Sequence, residues 1–201
     1  MPVEDLFLQH RRLMNQAIVQ NNVDRVRALL TTPYVEVNEA VDSGITPYAY
    51  RAFELNHVEI AKILVDAGAD ILNTWYVPFT PLHSAVLNRG VDALRFLIDF
   101  YTARYKGRKK EMEERMNPQC QISGHEGATP LLYVVETFGS KGDTKEERQA
   151  VASQMIRLLV DNGADPNAPI ALKRNLVGVA RVLIGSEIAE YLIANGGHEV
   201  T

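Results

Sequence analysis

Apolar residues in this chain fall into short stripes of helical length, and the same small set of residues begins and ends several of them. The dipeptide Thr-Pro precedes an apolar segment three times, at positions 46–47, 80–81 and 129–130. Gly-Ala-Asp follows shortly after a stripe ending in Leu-Val-Asp twice, at positions 68–70 and 163–165. Thr accepts hydrogen bonds from the free amides of a first helical turn, Pro at the first helical position has no amide hydrogen, and Gly supplies the left-handed conformation that ends a helix. We therefore expect each Thr-Pro to begin one helix and each Gly-Ala-Asp to end a second.

Internal repetition of this helix pair is the main feature of the sequence. The first two Thr-Pro pairs are 34 residues apart. These residues resemble the ankyrin repeat family, whose pattern of about 33 residues has Thr-Pro-Leu-His near its start and Gly-Ala-Asp-x-Asn after its second helix. Here the two halves of that pattern read Thr80-Pro81-Leu82-His83 and Gly163-Ala164-Asp165-Pro166-Asn167. The resemblance implies an all-α solenoid of stacked helix-turn-helix units with projecting loops, forming one domain over residues 1–201.

Five units account for the chain, and the terminal two are degenerate. Their approximate bounds are 6–37, 38–72, 73–116, 117–167 and 168–201. The first unit lacks Thr-Pro, and the last has Asn175 in the Thr position. Atypical end units suit a stack, because each end unit has one face in water.

The spacing of the repeats departs from the family period at two insertions. Thr80 and Thr129 are 49 residues apart, and Thr129 and Asn175 are 46 apart. We place one insertion near 102–116, where a charged run is expected to lengthen the second helix of unit three. The other lies near 140–149, between the two helices of unit four. In unit two, the segment 47–52 is one residue longer than the family pattern, which predicts a distorted helix start.

The repeat register also predicts which apolar side chains face neighbouring helices. The expected core consists of Ala17, Leu29, Leu30, Ala52, Ile60, Leu64, Leu82, Ala85, Leu94, Leu97, Leu131, Ile156, Leu159, Leu183, Ile188 and Leu192.

Composition and charge narrow the function classes. With 46% apolar and 23% charged residues and a net charge of −4, the chain resembles an ordinary globular protein, and its charge disfavours binding to nucleic acid. The basic run from Lys106 to Lys110 is followed at once by acids. The single cysteine excludes an internal disulfide framework. No apolar stretch reaches the roughly 18 residues of a membrane span. We expect a cytoplasmic protein, monomeric on its own, without membrane insertion; non-classical delivery to another cell stays open.

The residue inventory lacks the patterns that catalysis requires. No two histidines stand four residues apart as a helical metal pair would. No phosphate-binding glycine loop occurs, and Cys120 has no histidine near it in sequence to activate a thiolate. His57 and His83 occupy positions where the family resemblance implies histidines that tie loops together. We predict no catalytic site, no metal and no cofactor.

The resemblance implies that a partner binds the concave face of inner helices and the finger loops between units. The finger positions are Asp42, Ser43 and Ile45, then Trp75, Tyr76 and Phe79, then His125 and Glu126. The inner-helix positions are Glu54, Leu55, Leu87, Asn88 and Glu136. Trp75 beside Tyr76 is typical of an interface hot spot, but packing of Trp75 beneath its own finger is an alternative.

These observations favour a non-catalytic protein–protein interaction module that acts as an adaptor or effector. The alternative is a stoichiometric inhibitor or immunity-type protein that blocks the active site of an enzyme. A third, disfavoured option is a nucleic-acid or small-ligand contact carried by the insertions. The sequence does not identify the partner.

Overall fold

A computed structural model describes residues 3–41, 46–72, 79–120, 127–136, 144–168 and 175–199. These residues form eleven α-helices and one pair of two-residue strands. The helices are α1 (Val3–Val19), α2 (Val23–Leu30), α3 (Tyr48–Glu54), α4 (Val58–Asp66), α5 (Pro81–Leu87), α6 (Val91–Arg104), α7 (Lys109–Met116), α8 (Pro130–Glu136), α9 (Lys145–Val160), α10 (Leu176–Leu183) and α11 (Ser186–Ala194). The strands are β1 (Ala40–Val41) and β2 (Thr46–Pro47).

Consecutive helices form five pairs that stack in two layers. Within the units, α1 packs on α2, α3 on α4, α5 on α6, α8 on α9 and α10 on α11. The first helices of the pairs form an inner row in the order α1, α3, α5, α8, α10, and the second helices form an outer row that includes α2, α4, α6 and α9. This arrangement confirms the all-α solenoid that the repeat pattern predicts.

Three inner helices begin where the sequence predicts. Thr80 is the N-cap of α5 with Pro81 in the first turn, and the Thr80 amide donates to Nδ1 of His83 at 3.3 Å. At the start of α8, the Thr129 hydroxyl accepts from the amide of Leu132 at 3.3 Å. At α10, Asn175 accepts from the amide of Gly178 at 2.6 Å and so replaces Thr. Local capping chemistry is sufficient to fix these three starts.

The remaining Thr-Pro pair does not begin a helix in the predicted way. Helix α3 starts at Tyr48, and Pro47 rather than Thr46 is its N-cap residue. Thr46 instead pairs with Val41 across the antiparallel strands, and Pro47 pairs with Ala40. The extra residue in this segment moves Thr46 out of the capping position and into the finger. The expected distortion is therefore confirmed, and the prediction that Thr46-Pro47 caps a helix is wrong.

The predicted core is buried with two exceptions. Leu30 is only partly buried but packs against the core, and Leu183 is 36% exposed. Leu183 is the last residue of α10 and stands eight residues after Asn175, as the exposed Asn88 stands eight residues after Thr80. The prediction that Leu183 faces a neighbouring helix is wrong, because the repeat register places it at an accessible helix end.

Both insertions change helix lengths in units three and four. Helix α6 extends over fourteen residues to Arg104, so part of the first insertion lengthens the outer helix as predicted. The chain then turns at Gly107, which has a φ of +76°, and the charged run forms a separate helix α7. In unit four, Thr144 and Glu147 form a capping box that begins α9, so the second half of the insertion near 140–149 is helical. Residues 137–143 lie outside the described part of the chain.

Asparagines that follow one helix pair bond to the loop that follows the next helix pair. In each case the side-chain oxygen accepts from a backbone amide of that loop, and the side-chain nitrogen donates to the carbonyl of the glycine two residues before this amide. These pairs are Asn38 with Asp70 and Gly68, Asn117 with Asp165 and Gly163, and Asn167 with His198 and Gly196. Because loop backbone is satisfied across the junction, each asparagine fixes the spacing of two units.

Among the described residues, no helix is both long and apolar enough to cross a bilayer.

Candidate functional site

The ends of the inner helices form one row of equivalent surface positions. Helices α1, α3, α5 and α8 end at Val19, Glu54, Leu87 and Glu136, and the seventh residue of α10 is Val182. In the first three units, a left-handed residue follows two positions later, at Asn21, Asn56 and Arg89. The same turn therefore sets the orientation of each helix end, and stacking of the inner helices places these positions side by side.

Apolar and acidic side chains alternate along this row. Val19 is 46% exposed, Leu87 is 37% exposed and Val182 is 81% exposed. Glu54 lies between the first two, and Glu136 lies between the last two. Exposed apolar side chains at equivalent positions of three units are a surface feature that stacking does not require, because stacking buries the other faces of these helices.

The other predicted inner-helix residues flank this row. Leu55 is half-buried and packs against the core, whereas Asn88 is exposed and forms the C-cap of α5. The carboxylate of Glu54 accepts from Arg51 at 3.0 Å and is largely covered. Within the predicted set, Leu87 and Asn88 are thus the more accessible side chains of units two and three.

Phe79 lies at the base of its finger and packs inside the protein. Its ring centroid is 5.3 Å from that of Tyr133, in an edge-to-face arrangement, and 5.8 Å from that of His83. The phenyl group therefore contributes to the junction between units three and four, and only part of it faces solvent.

His83 is fully buried at the same junction, and its ring ties two units together. Nε2 lies 3.0 Å from the carbonyl oxygen of Ala128, and Nδ1 lies 3.0 Å from the hydroxyl of Thr80. Since the Thr80 amide donates to Nδ1, Nε2 carries the hydrogen and donates to Ala128. Burial lowers the pKa of His83 to about 4, although the bond to Ala128 opposes this shift. The imidazole is neutral, and its predicted structural role is confirmed.

Asn56, rather than the ring of His57, makes the corresponding link between units two and three. The side-chain oxygen of Asn56 accepts from the amide of Ala93 at 2.9 Å. His57 is the N-cap residue of α4, and its side chain makes no capping hydrogen bond. The role predicted for His57 is thus carried in the structure by its neighbour.

Seven predicted site residues lie outside the part of the chain that the structure describes. They are Asp42, Ser43, Ile45, Trp75, Tyr76, His125 and Glu126. Their assignment to a binding surface stays a prediction, as does the choice between a binding and a packing role for Trp75.

Metal-binding and nucleophilic groups do not converge in the described ranges. No cluster of three or more His, Cys, Asp or Glu side chains that could hold a metal ion occurs there. Cys120 is buried, its amide donates to the carbonyl of Ala128, and its carbonyl accepts from Gly127. The thiol lies beside Tyr133, whose pKa is raised by burial and by this neighbour. Cys120 therefore contributes to the packing of the finger base.

Sequence reasoning missed Val182 and Asn117. Val182 stands seven residues after Asn175, as Leu87 stands seven residues after Thr80, so counting from the N-cap would have placed it in the row. Asn117 carries no local signal, because its partners follow 46 and 48 residues later.

Comparison with known protein families finds one match. The family model described as ankyrin repeats (many copies) matches residues 49–98, which span α3 to α6 except for the first residue of α3 and the last residues of α6. No curated protein matches the chain.

Proposed function

Because this chain belongs to the ankyrin repeat family, whose repeats are generally protein–protein interaction modules, we propose that it binds a protein partner through its row of inner-helix ends. Val19, Leu87 and Val182 supply apolar area in this surface and Glu136 supplies charge, whereas the carboxylate of Glu54 is paired with Arg51. We assign the predicted finger residues to the same surface.

The exposure of Leu87 is the observation that carries this proposal. Leu87 is 37% exposed in the central unit, although the rest of α5 from Pro81 to Val86 is buried. A leucine at the one accessible position of a buried helix supports a surface that becomes covered on binding, because removing apolar area from water is favourable.

We assign this binding to an adaptor or effector role. Ankyrin repeats are typically non-catalytic, and the row consists of apolar and carboxylate side chains. An inhibitor would require a partner whose activity is abolished at equal concentration. Once a partner is identified, titration against its activity separates the two roles.

The test compares two single substitutions that introduce the same charge at similar exposure. Leu87→Lys changes the centre of the row, and Ile193→Lys changes an apolar residue on α11 that is 41% exposed and outside the row. Wild type and both variants are used to isolate binding proteins from a lysate, after equal melting temperatures have been confirmed. We expect a protein that wild type and Ile193→Lys retain in equal amounts and that Leu87→Lys loses by about tenfold or more, since a hot-spot side chain contributes roughly 2 kcal/mol.

The follow-up uses the purified candidate partner in a direct binding measurement. Equal affinities of Leu87→Lys and wild type would contradict the assignment of the row. Reduced affinity of both lysine variants to the same degree would also contradict it, because the loss would then follow charge and not position.

A further inference from the structure

A pocket of about 610 Å³ lies between the turn that joins α6 to α7 and the end of α9. One wall comes from residues between Thr102 and Glu113, and the other comes from Val160, Asp161, Asn162 and Gly163. The first wall belongs to the insertion of unit three, so stacking of regular repeats would not build this pocket. Its volume falls within the range of roughly 300–1,000 Å³ that is usual for ligand sites.

The insertion wall is held in place by contacts on both sides. The Arg115 guanidinium donates to the Tyr105 hydroxyl at 3.0 Å and to the carbonyl of Leu72 at 2.9 Å. At the end of α7, Met116 is fully buried, and Asn117 bonds to the Gly163 carbonyl and the Asp165 amide. The backbone of the insertion wall is therefore held in place before a ligand binds, whereas the cationic side chains that it carries are exposed.

Three cations of the turn line the pocket. They are Lys106, Arg108 and Lys109. The guanidinium carbon of Arg108 lies 4.8 Å from the centre of the Tyr105 ring, and the same side chain donates to the Arg104 carbonyl. Within the described ranges, neither Lys106 nor Arg108 has a carboxylate within ion-pair distance, whereas Lys109 pairs with Glu113 at 3.6 Å. Two of the three positive charges of this turn are thus without an ion-pair partner in the described part of the chain.

The lining also contains two carboxylates, so its cations exceed its acids by one charge. Glu113 pairs with Lys109, and Asp161 keeps its negative charge although it accepts from the Tyr191 hydroxyl at 2.5 Å, on the side of α11. Tyr105, Met112 and Val160 add apolar surface to the lining. The lining therefore carries a small excess of cationic donors beside apolar groups, which complements an anionic group.

The charge of the whole protein limits the size of the occupant. With a net charge of −4, most of the surface repels a long polyanion, whereas the turn at 106–109 attracts a few negative charges over a short distance. A short acidic segment fits this distribution better than a nucleic acid does. We propose that the pocket binds an acidic segment of a protein partner, as a second contact region in addition to the row of inner-helix ends.

This region is separate from the row, because α6 and α9 belong to the outer layer and Leu87 belongs to the inner one. The proposal is therefore independent of whether the row binds a partner. It also gives the insertion near 102–116 a function that the repeats do not supply.

The test uses a fluorescein-labelled hexaglutamate peptide as the probe and fluorescence anisotropy of the full chain at low salt as the readout. The pocket variant is Lys106→Gln/Arg108→Gln/Lys109→Gln. The matched control is Lys62→Gln/Arg95→Gln/Lys145→Gln, which removes the same number and kinds of charge from exposed positions outside the pocket. We expect the pocket variant to weaken binding by about tenfold or more and the control to change it less than about twofold.

Each outcome of this test either supports or overturns the proposal. Saturable binding that is lost in the pocket variant and kept in the control supports the proposal. Absence of saturable binding to wild type overturns it, and so does an equal loss in both triple variants, since binding would then follow net charge alone. Displacement of the peptide by a single-stranded oligothymidylate of equal charge at lower concentration also overturns it, because the pocket would then favour nucleic acid. Leu87→Lys should leave peptide binding unchanged.

Discussion

Equivalent positions of the repeat are buried at the junction between units three and four but more accessible on the outer face of unit five. At the junction, His83 and Val86 are fully buried, and Ile98 is 4% exposed. In unit five, the corresponding residues are Gly178, Arg181 and Ile193, and Ile193 is 41% exposed. Arg181 pairs with Glu199 across this face, with two nitrogen–oxygen distances of 2.9 and 3.0 Å.

This comparison shows that a neighbour, and not the residue type, decides burial. Isoleucine is buried at position 98 and accessible at position 193, although both stand eight residues after the glycine that precedes the outer helix. The sequence does change at the other two positions, with glycine in place of histidine and arginine in place of valine. Unit five therefore keeps the helix pair, but it lacks the histidine and the valine that are buried at the junction between units three and four.

The largest expected effect is on the free energy of unfolding, when a buried leucine of unit three and an exposed leucine of unit five are each truncated. Leu94→Ala removes a fully buried side chain of α6 and should lower the free energy of unfolding by about 2–5 kcal/mol. Leu183→Ala removes a side chain that is 36% exposed in α10 and should cost less than about 2 kcal/mol. Urea unfolding followed by circular dichroism measures both values. Equal losses would contradict the accessibility of Leu183 in the structure.

The next expected effect is on the pH dependence of stability, because unit five has glycine at the position equivalent to His83. Burial lowers the pKa of His83 from 6.5 to about 4, so the unfolded chain binds a proton at higher pH than the folded protein. The stabilisation is complete above about pH 6.5 and is lost as the pH falls toward 4, by up to about 3 kcal/mol. Urea unfolding at several pH values should show this loss in wild type. The loss should be absent from His83→Asn, so the difference between the two proteins should show it; identical pH slopes of the two proteins would contradict the assignment.

The smallest effect is expected from the ion pair on the outer face of unit five. The carboxylate of Glu199 has a lowered pKa because it accepts two hydrogen bonds from Arg181, yet both groups are open to solvent. Glu199→Gln should lower the melting temperature only slightly, and the difference should vanish in about 1 M salt, where exposed charges are screened. A large decrease that persists in salt would mean that this pair holds the face in place by more than charge.

Local chemistry explains which parts of the fold could be predicted from the sequence. The caps at Thr80 and Asn175 involve bonds within three residues, so the sequence alone specifies them. Thr46 failed as a cap because one additional residue shifted it into strand pairing with Val41. The additional residue is visible in the sequence. The strand pairing of Thr46 with Val41 that replaces the cap is a contact within the finger, which the helical repeat pattern does not describe.

The candidate site was predictable to the extent that it follows the repeat register. Leu87, Asn88 and Glu136 lie where counting from Thr-Pro places them. The pocket at 102–113 was not predictable as a pocket, because its second wall comes from Val160 to Gly163, more than forty residues later. From the sequence, the same charged run is expected to lengthen the outer helix of unit three, and a ligand contact on the insertions is the disfavoured option.

The anchoring of α7 has a consequence for how the array opens. Residues at the end of this helix bond to Leu72 of unit two, Tyr105 of unit three, and Gly163 and Asp165 of unit four. In a stack where each unit touches only its neighbours, opening spreads from an end one unit at a time. Opening of unit two, three or four breaks contacts made by the end of the same helix, so these contacts couple the local unfolding of the three units. The insertion thereby makes the unfolding of these three units more cooperative than stacking of neighbours alone would make it.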